Sequence, residues 1–260
     1  MEITILTENV AGGQFLAEHG LSYLIEHDGQ KILFDTGHSD VFLKNAEKMN
    51  IGIVSGVQTV VLSHGHWDHG DGLQYLENKK LVTHPLAFIK RYRKSGNKNI
   101  GLKMSKEELE KKYTLELSRD SLHVSDNIIF LGEIPRLTDF ESRSTHFVDA
   151  NGKPDQVLDD SALAIIQDEA ITIITGCAHA GICNIVEHAK RITGIKKVKA
   201  VLGGFHLQDS NQQTLKTIEY FQNIGINHVN PSHCTGLPAL VKFHQAFGSY
   251  QVKTGMTLRF

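Results

Sequence analysis

The stretch Ser63-His64-Gly65-His66-Trp67-Asp68-His69-Gly70 places three histidines and one carboxylate within six residues. It follows an apolar run, Thr59–Leu62, whose Thr-Val-Val-Leu pattern predicts a short buried strand. On the turn after such a strand, His64 and His66 can point to one place, and Asp68 and His69 can fold back toward a second. Imidazole nitrogen and carboxylate oxygen are the usual ligands of zinc and similar ions. The stretch therefore predicts a metal-binding loop, with a solvent-exposed, histidine-rich loop as the alternative.

Further motifs lie on both sides of this loop in a fixed order. They are Glu18-His19-Gly20-Leu21-Ser22, Phe34-Asp35-Thr36-Gly37, Gly176-Cys177-Ala178-His179-Ala180-Gly181, Gly203-Gly204-Phe205-His206-Leu207 and Pro231-Ser232-His233-Cys234-Thr235-Gly236. With His64-x-His66-x-Asp68-His69, the set resembles the metallo-β-lactamase superfamily. More narrowly, it resembles a branch described as 7,8-dihydropterin-6-methyl-4-(β-D-ribofuranosyl)aminobenzene-5′-phosphate synthase or as metal-dependent hydrolases. The resemblance covers nearly the whole chain.

The resemblance implies an α/β fold, the metallo-β-lactamase αββα sandwich, as a single domain over residues 1–260. It also implies one metal ion held by His64, His66 and His179, and a second held by Asp68, His69 and His233. The superfamily usually adds a bridging aspartate at the strand end that here reads Gly203-Gly204-Phe205-His206. Either His206 serves the second ion or a substrate, or one of the two sites is weak.

Each residue outside the metal-binding loop has a second interpretation. His179 can cap a helix or pack in the core, His206 can line the core, and His233 can lie on the surface. We expect Asp35 to orient a ligand histidine, with a turn-forming aspartate as the alternative. His19 can face the pocket or pack on a strand. We expect the three cysteines to be small buried residues rather than ligands: Cys177, Cys183 and Cys234.

The rest of the chain predicts mixed strands and helices. A hairpin is expected over residues 21–34, single strands over residues 121–131 and 171–175, and helices over residues 40–49, 182–192 and 212–224. Residues 85–119 are rich in Lys and Glu, and Ser105-x-x-Glu108 is a capping box, so they predict the helical part of an inserted lobe spanning about 85–143. Basic residues in this lobe can meet an anionic substrate or form a solvated face: Lys90, Arg91, Arg93, Lys94 and Lys98.

Composition limits the location and partners of the protein. The 260 residues carry a formal net charge of −2, which favours no nucleic-acid partner. No apolar run approaches the ~20 residues of a membrane span, and the N-terminus has no basic region of a signal peptide. Three cysteines are too few for a disulfide scaffold, so we expect a cytoplasmic protein. The expected partner is a small, anionic substrate molecule, and a homo-oligomer is compatible with the sequence.

These observations favour a metal-dependent hydrolase that uses a metal-activated water on a small ester or phosphoester. The expected cofactor is zinc, as two divalent ions, with iron or manganese as alternatives. We expect Asp68 to orient and deprotonate the water, and His206 to donate a proton to the developing oxyanion or to hydrogen-bond it. The helix after Gly181 is expected to offer backbone N–H groups to a substrate anion. Two other functions stay open: a pterin-ribofuranosylaminobenzene phosphate synthase, and a non-enzymatic metal or ligand sensor.

Overall fold

The computed structural model describes all 260 residues. The strands, in chain order, are β1 (Glu2–Thr7), β2 (Ser22–His27), β3 (Gln30–Phe34), β4 (Thr59–Val61), β5 (Lys79–Thr83), β6 (Arg91–Arg93), β7 (Tyr113–Leu117), β8 (Leu122–Ser125), β9 (Ile128–Phe130), β10 (Phe147–Asp149), β11 (Ala162–Gln167), β12 (Ala170–Thr175), β13 (Val198–Gly204), β14 (His228–Ser232) and β15 (Thr257–Arg259). The α-helices are α1 (Val41–Lys48), α2 (Ile53–Gly56), α3 (Trp67–Gly70), α4 (Lys106–Glu110), α5 (Ile182–Thr193), α6 (Gln212–Asn223) and α7 (Leu237–Phe247). Short 3₁₀ turns cover Asp71–Tyr75 and Pro85–Phe88. The predicted mixture of strands and helices is confirmed.

The chain divides into two compact units. Unit 1 consists of Met1–Arg119, Thr145–Asp155 and Lys253–Phe260, and unit 2 of Asp120–Ser144 and Gln156–Val252. Each unit contains one large sheet and one hydrophobic core of its own. The assignment of residues 1–260 to a single evolutionary domain stays a prediction.

Unit 1 is built on a seven-stranded sheet with the order β15-β1-β2-β3-β4-β5-β7. The strands β1, β2 and β3 pair antiparallel, and the predicted hairpin turns at Asp28-Gly29 between β2 and β3. From β3 onward, β4, β5 and β7 run parallel. Helix α1 packs Phe42 and Ala46 into the core beside Leu6, Leu24 and Leu33. Because the parallel strands end at one edge, the residues that follow β3 and β4 are brought together there.

Unit 2 is built on a six-stranded sheet with the order β14-β13-β12-β11-β9-β8. The strands β12, β13 and β14 are parallel, while β11, β9 and β8 continue the sheet antiparallel. The helices α5, α6 and α7 contribute buried side chains to one core with the sheet, among them Ile185, Phe221 and Phe243. Helix α7 was not predicted from the sequence. The carboxyl ends of the three parallel strands carry the loops at 176–181, 205–207 and 233–236.

The segment from 85 to 143 differs from the helical lobe expected there. Its one α-helix, α4, has five residues, and the predicted capping box at Ser105 and Glu108 is present at its start. The rest is mostly turn and strand: β7 joins the sheet of unit 1, whereas β8 and β9 join the sheet of unit 2. The predicted single strand over 121–131 is interrupted by a turn at Asp126-Asn127. The segment thus supplies the edge strand of each large sheet, β7 in unit 1 and β8 in unit 2.

No helix is long and apolar enough to cross a membrane.

Candidate metal centre

Asp35 is the hub of the site in unit 1. It directly follows β3, whose Phe34 is in register with Val61 of β4, so Asp35 and Ser63 emerge at the same sheet edge. Asp35 is fully buried. Its Oδ1 accepts a hydrogen bond from the Ser63 backbone N (2.7 Å), and its Oδ2 accepts from Ser63 Oγ (2.7 Å) and from His69 Nδ1 (2.7 Å). The expected contact of Asp35 with a candidate ligand histidine is therefore present.

These hydrogen bonds fix which ring nitrogen of each histidine carries the proton. His69 donates Nδ1–H to a carboxylate, so its Nε2 carries the lone pair that a metal needs. Ser63 Oγ, which donates to Asp35, accepts from His64 Nδ1 at 2.9 Å, so the lone pair of His64 also lies on Nε2. His64 Nε2 lies 2.9 Å from His66 Nδ1. Two imidazole nitrogens that converge in this way fit a shared divalent ion.

His64 is held in its neutral form. Burial lowers its pKa well below the usual value, and the neighbouring His69 and His66 lower it further. A neutral imidazole is the form that binds metal. The loop that carries these rings depends on Gly65, because a Cβ there would lie 1.7 Å from the carbonyl oxygen of Ala87. The donor set of unit 1 thus fits a divalent ion in chemistry and in protonation.

A second group of side chains surrounds Trp67 in the same loop. His19 Nε2 lies 3.1 Å from Asp68 Oδ2, and the His19 ring centroid lies 5.5 Å from that of Trp67. His38 meets Trp67 edge to face at 4.7 Å, and Lys98 Nζ lies 5.4 Å from the centroid of the indole ring. His19 therefore contacts a proposed ligand and is partly exposed, which agrees with the pocket-facing alternative. Sequence reasoning missed His38, whose spacing carries no signal.

The site residues of unit 2 lie at the carboxyl ends of β12, β13 and β14. His179 follows β12, and its ring centroid lies 4.5 Å from that of His206, which follows β13. His233 follows β14 directly and is largely buried. His206 and His233 have left-handed backbones, with φ of 51° and 49°. Non-glycine residues in this region are strained and tend to cluster at functional sites.

Two cysteines join His233. The Sγ atoms of Cys177 and Cys234 and one ring nitrogen of His233 all lie within 4.8 Å of one another, and such a group can hold a metal ion. The sequence indicated that these cysteines are small buried residues. The signal that was available is their position, since Cys177 stands two residues before His179 and Cys234 directly follows His233.

The loop of His179 is held by polar groups from other parts of unit 2. Ser142 Oγ donates to the carbonyl oxygen of His179 (2.8 Å) and accepts from Arg136 Nε (3.0 Å). Asp160 Oδ2 accepts from the backbone N of Ala180 (2.9 Å). Burial raises the pKa of Asp160 to about 7. The contacts of Ser142 and Asp160 fix the peptide group that joins His179 to Ala180.

The sequence predicts an open anion site at the start of α5, but the structure has no such open site there. Glu141, which is 1% exposed, accepts from the backbone N of Cys183 through Oε1 (2.9 Å) and from the backbone N of Asn184 through Oε2 (2.9 Å). Burial raises the pKa of Glu141, while these hydrogen bonds oppose the shift. A carboxylate of the chain itself thus occupies the first turn, so the prediction that substrate binds there is wrong.

Arg91 is also unavailable to a substrate. It is fully buried, and its Nε lies 3.2 Å from Asp155 Oδ2. Lys98, by contrast, is exposed. Of the basic residues named from the sequence, Arg91 is thus structural, while Lys98 stays a candidate for contact with an anion.

The structure brings the predicted residues together in two sets. In unit 1, His64, His66, Asp68 and His69 lie on one loop, which Asp35 and His19 contact from other parts of the unit. In unit 2, His179 lies beside His206, and His233 lies beside Cys177 and Cys234. The assignment of ligands to individual ions stays a prediction. Sequence reasoning missed Ser63, although it directly precedes His64.

Comparison with known proteins places these motifs in a family. The family model of the metallo-beta-lactamase superfamily matches residues 17–87, which include Asp35 and the whole loop of His64. An uncharacterized protein of Methanocaldococcus jannaschii is 38% identical over 251 residues, or 94% of each chain. From the same organism, 7,8-dihydropterin-6-methyl-4-(beta-D-ribofuranosyl)-aminobenzene-5'-phosphate synthase is 34% identical and covers 95% of this chain and 92% of its own.

A solved structure agrees over the full length. The crystal structure of Tm1679, described as a metal-dependent hydrolase of the beta-lactamase superfamily, is 31% identical to this chain. The match has a TM-score of 0.89 and covers 100% of this chain and 99% of that one. The relatives therefore include one protein named as a synthase and one named as a hydrolase.

Proposed function

We propose a function that starts from the family, because this chain belongs to the metallo-beta-lactamase superfamily. The function is that of a metal-dependent hydrolase, which uses an ion-activated water to cleave a small ester or phosphoester. The observation that carries the proposal is the fixed protonation of two histidines. Asp35 and Ser63 hold His69 and His64 so that each presents Nε2 as a ligand atom.

The proposed ligands are the six residues that the family resemblance implied. His64, His66 and His179 would hold one ion, and Asp68, His69 and His233 would hold a second. Zinc is the proposed metal because imidazole and carboxylate are its common ligands. Each set combines residues of the segment after β4 with one histidine from a loop that follows a strand of unit 2.

A bound divalent ion would lower the pKa of its water to about 7 and polarise the substrate oxygen. Asp68 then accepts the proton that the attacking water gives up, and His19 holds one oxygen of its carboxylate at 3.1 Å. For a phosphoester, the new bond joins the water oxygen to phosphorus, and the bond to the leaving oxygen breaks. His206, beside His179, donates a proton to that leaving oxygen.

The proposed substrate is small and anionic. In unit 1, Lys98 and two imidazoles, His19 and His38, surround the partly exposed indole of Trp67. An ammonium group and ring N–H donors suit a phosphate or carboxylate, and the indole suits a flat ring. Trp67 precedes Asp68 in sequence and His19 contacts the Asp68 carboxylate, so this group is positioned to hold a substrate beside the ligands.

Metal content is the first test. Wild-type protein and the variants His64→Ala and His233→Ala would be purified without added metal and measured by elemental mass spectrometry. Lys196→Ala, at an exposed loop position, serves as the control for purification losses. The proposal expects about two ions per chain in wild type and the control, with fewer in both histidine variants. Well-folded wild-type protein without metal, even after reconstitution, would refute it.

The second test separates hydrolysis from synthesis. The 34% identical relative is named as a synthase whose product joins a dihydropterin to a ribofuranosylaminobenzene phosphate, so the same reaction is the second candidate. Metal-loaded protein would be offered a panel of phosphomonoesters and phosphodiesters. Separately, it would be offered ribofuranosylaminobenzene phosphate with a dihydropterin that carries a leaving group on its 6-methyl carbon.

Support for the hydrolase is release of an alcohol, together with phosphate from a monoester or a phosphomonoester from a diester, at a rate that falls about a hundredfold or more in Asp68→Asn. Formation of the coupled pterin, detected by mass spectrometry, would replace hydrolysis with synthesis. Metal binding with turnover in neither assay would favour the sensor and count against both enzymes. His206→Ala with unchanged turnover would remove the proton-donor role and leave the rest of the proposal in place.

A further inference from the structure

The two cysteines beside His233 form a ligand set that the six proposed ligands do not include. The thiol cluster, Cys177, His233 and Cys234, has its three donor atoms within 4.8 Å of one another. Cys177 is 3% exposed, His233 is 8% exposed, and Cys234 is partly buried. Two sulfurs and an imidazole thus converge among largely buried residues, and cysteine sulfur and histidine nitrogen are common ligands of zinc.

The backbone of unit 2 makes room for this cluster. A Cβ on Gly204 would lie 2.6 Å from Cys234 Sγ and 2.5 Å from the carbonyl oxygen of Gly176. The end of β13 has no side chain at Gly204, and the sulfur of Cys234 packs in the space that a Cβ would take. This strand end also supplies no carboxylate, because it reads Gly203-Gly204-Phe205-His206.

Hydrogen bonds hold the loop of Cys234 against the neighbouring strand end. The backbone N of Phe205 donates to Thr235 Oγ1 (3.0 Å), and the Gln208 side chain donates to the carbonyl oxygen of Cys234 (2.6 Å). Cys234 Sγ lies 3.6 Å from the carbonyl oxygen of Cys177. These contacts fix the backbone of Cys234 and Thr235 directly after His233, and they bring the Cys234 sulfur against the loop of Cys177.

We infer that Cys177 and Cys234 bind a divalent ion together with His233, as thiolates, and that this set makes the protein prefer zinc to magnesium or manganese. The inference rests on the proposed metal centre and names which atoms complete it where the aspartate is missing. Each thiol releases one proton to the buffer as its sulfur binds the ion. Thiolate is a soft ligand that suits zinc, whereas magnesium and manganese prefer oxygen.

Cys183 provides a contrast within the same unit. It lies in the first turn of α5 and is fully buried, and its backbone N donates a hydrogen bond to Glu141 Oε1. Burial and the nearby Glu141 carboxylate raise the pKa of its thiol far above the usual value. A thiol in such surroundings stays protonated and packs as a small apolar group. Cys183→Ala is therefore the matched control for substitutions in the thiol cluster.

Cobalt(II) provides the test because a sulfur ligand gives a near-ultraviolet charge-transfer band that nitrogen and oxygen ligands do not give. Metal-free protein would be kept reduced and titrated with cobalt. Wild type and Cys183→Ala should show this band together with the visible ligand-field bands. Cys177→Ser and Cys234→Ser should each lose about half of the charge-transfer band, and the double variant should lose it all. The double variant should also lose tenfold or more of its preference for zinc over manganese.

The outcomes separate this inference from the proposed function. Visible bands without the charge-transfer band in wild type would overturn thiolate binding and leave the histidine and aspartate centre standing. No cobalt bound to well-folded wild type would refute both. Because a variant can fail to fold, X-ray absorption of the zinc-loaded wild type is the second measurement. It should show sulfur at about 2.3 Å from zinc, and a shell of nitrogen and oxygen alone would refute the inference.

Discussion

Replacing Asp35 by asparagine tests whether the hydrogen bonds behind the metal loop select the ligand nitrogens. The carboxylate is fully buried and accepts three hydrogen bonds of 2.7 Å each. The asparagine oxygen can still accept from the Ser63 backbone N. Its NH₂ group then faces Ser63 Oγ and His69 Nδ1. These two groups donate to Oδ2 in the wild type, and in the variant they meet another donor instead of an acceptor. The Ser63 hydroxyl can rotate to accept, but an Nδ1–H on His69 cannot.

His69 must therefore move its proton to Nε2 or leave its position. In either case Nε2 of His69 is no longer available as a metal ligand. Substitutions of such outer partners lower metal affinity by about 10–100-fold, which is about 1.4–2.8 kcal/mol. We expect a loss in this range for zinc, measured by competition with a chelating dye. Urea unfolding of the metal-free variant separates this effect from the cost of the altered buried polar group, about 1–3 kcal/mol.

Asp71→Asn is the control for this experiment. Asp71 is also buried and belongs to the same segment, but its Oδ1 accepts from the backbone N of Lys103, a bond that an amide oxygen can keep. We expect its zinc affinity to match wild type within about twofold. Zinc affinity in Asp35→Asn equal to that of Asp71→Asn would refute the argument that Asp35 fixes the protonation of His69.

Three further predictions concern the framework. Gly65→Ala should lower the free energy of unfolding by about 3 kcal/mol or more and abolish metal binding, because its Cβ would lie 1.7 Å from the Ala87 carbonyl oxygen. Gly56→Ala, where a Cβ meets open space, should be nearly neutral in the same urea titration. Glu141→Ala should cost about 1–2 kcal/mol because two N–H groups at the start of α5 lose their acceptor; unchanged urea stability would show that water replaces it. Burial lowers the pKa of His188 in α5 below 6.5, so the unfolded chain takes up the proton first, and stability falls as pH drops below about 6.5. His188→Gln can still donate to the Leu131 carbonyl oxygen and should flatten this dependence, whose slope cannot exceed about 1.4 kcal/mol per pH unit; an equal slope in both proteins would exclude His188 as its source.

Features that depend on neighbouring residues could be predicted from the sequence. The metal loop is contiguous and directly follows β4, so its position at a strand end needed no knowledge of the fold. The hairpin of β2 and β3 was predicted in the same way, from alternating residues on either side of Asp28-Gly29. The contact of Asp35 with His69 is an exception, because it joins residues 34 apart and was expected from the Phe34-Asp35-Thr36-Gly37 motif at the end of β3.

Features that depend on distant residues were mostly missed. The first turn of α5 looked like an anion site because its own sequence offers N–H groups, and Glu141 lies more than 40 residues earlier. Arg91 looked exposed within a charged run, but Asp155 pairs with it in the buried interior. Helix α7 was missed although Pro238 suits a first helical turn, because the preceding Cys-Thr-Gly had been assigned to a loop motif.

The backbone at the strand ends shows why such sites resist prediction from local preference. Asp35, His206 and His233 follow or closely follow a strand and have φ of 56°, 51° and 49°, a region that favours glycine. Glycine would relieve the strain but would remove the carboxylate or imidazole. The left-handed backbone of each residue therefore costs conformational free energy. The surrounding sheet and the hydrogen bonds of the site must offset this cost. At such positions the functional group that is needed conflicts with the backbone preference of the residue. The sequence then indicates the functional group, whereas the left-handed backbone is seen only in the fold.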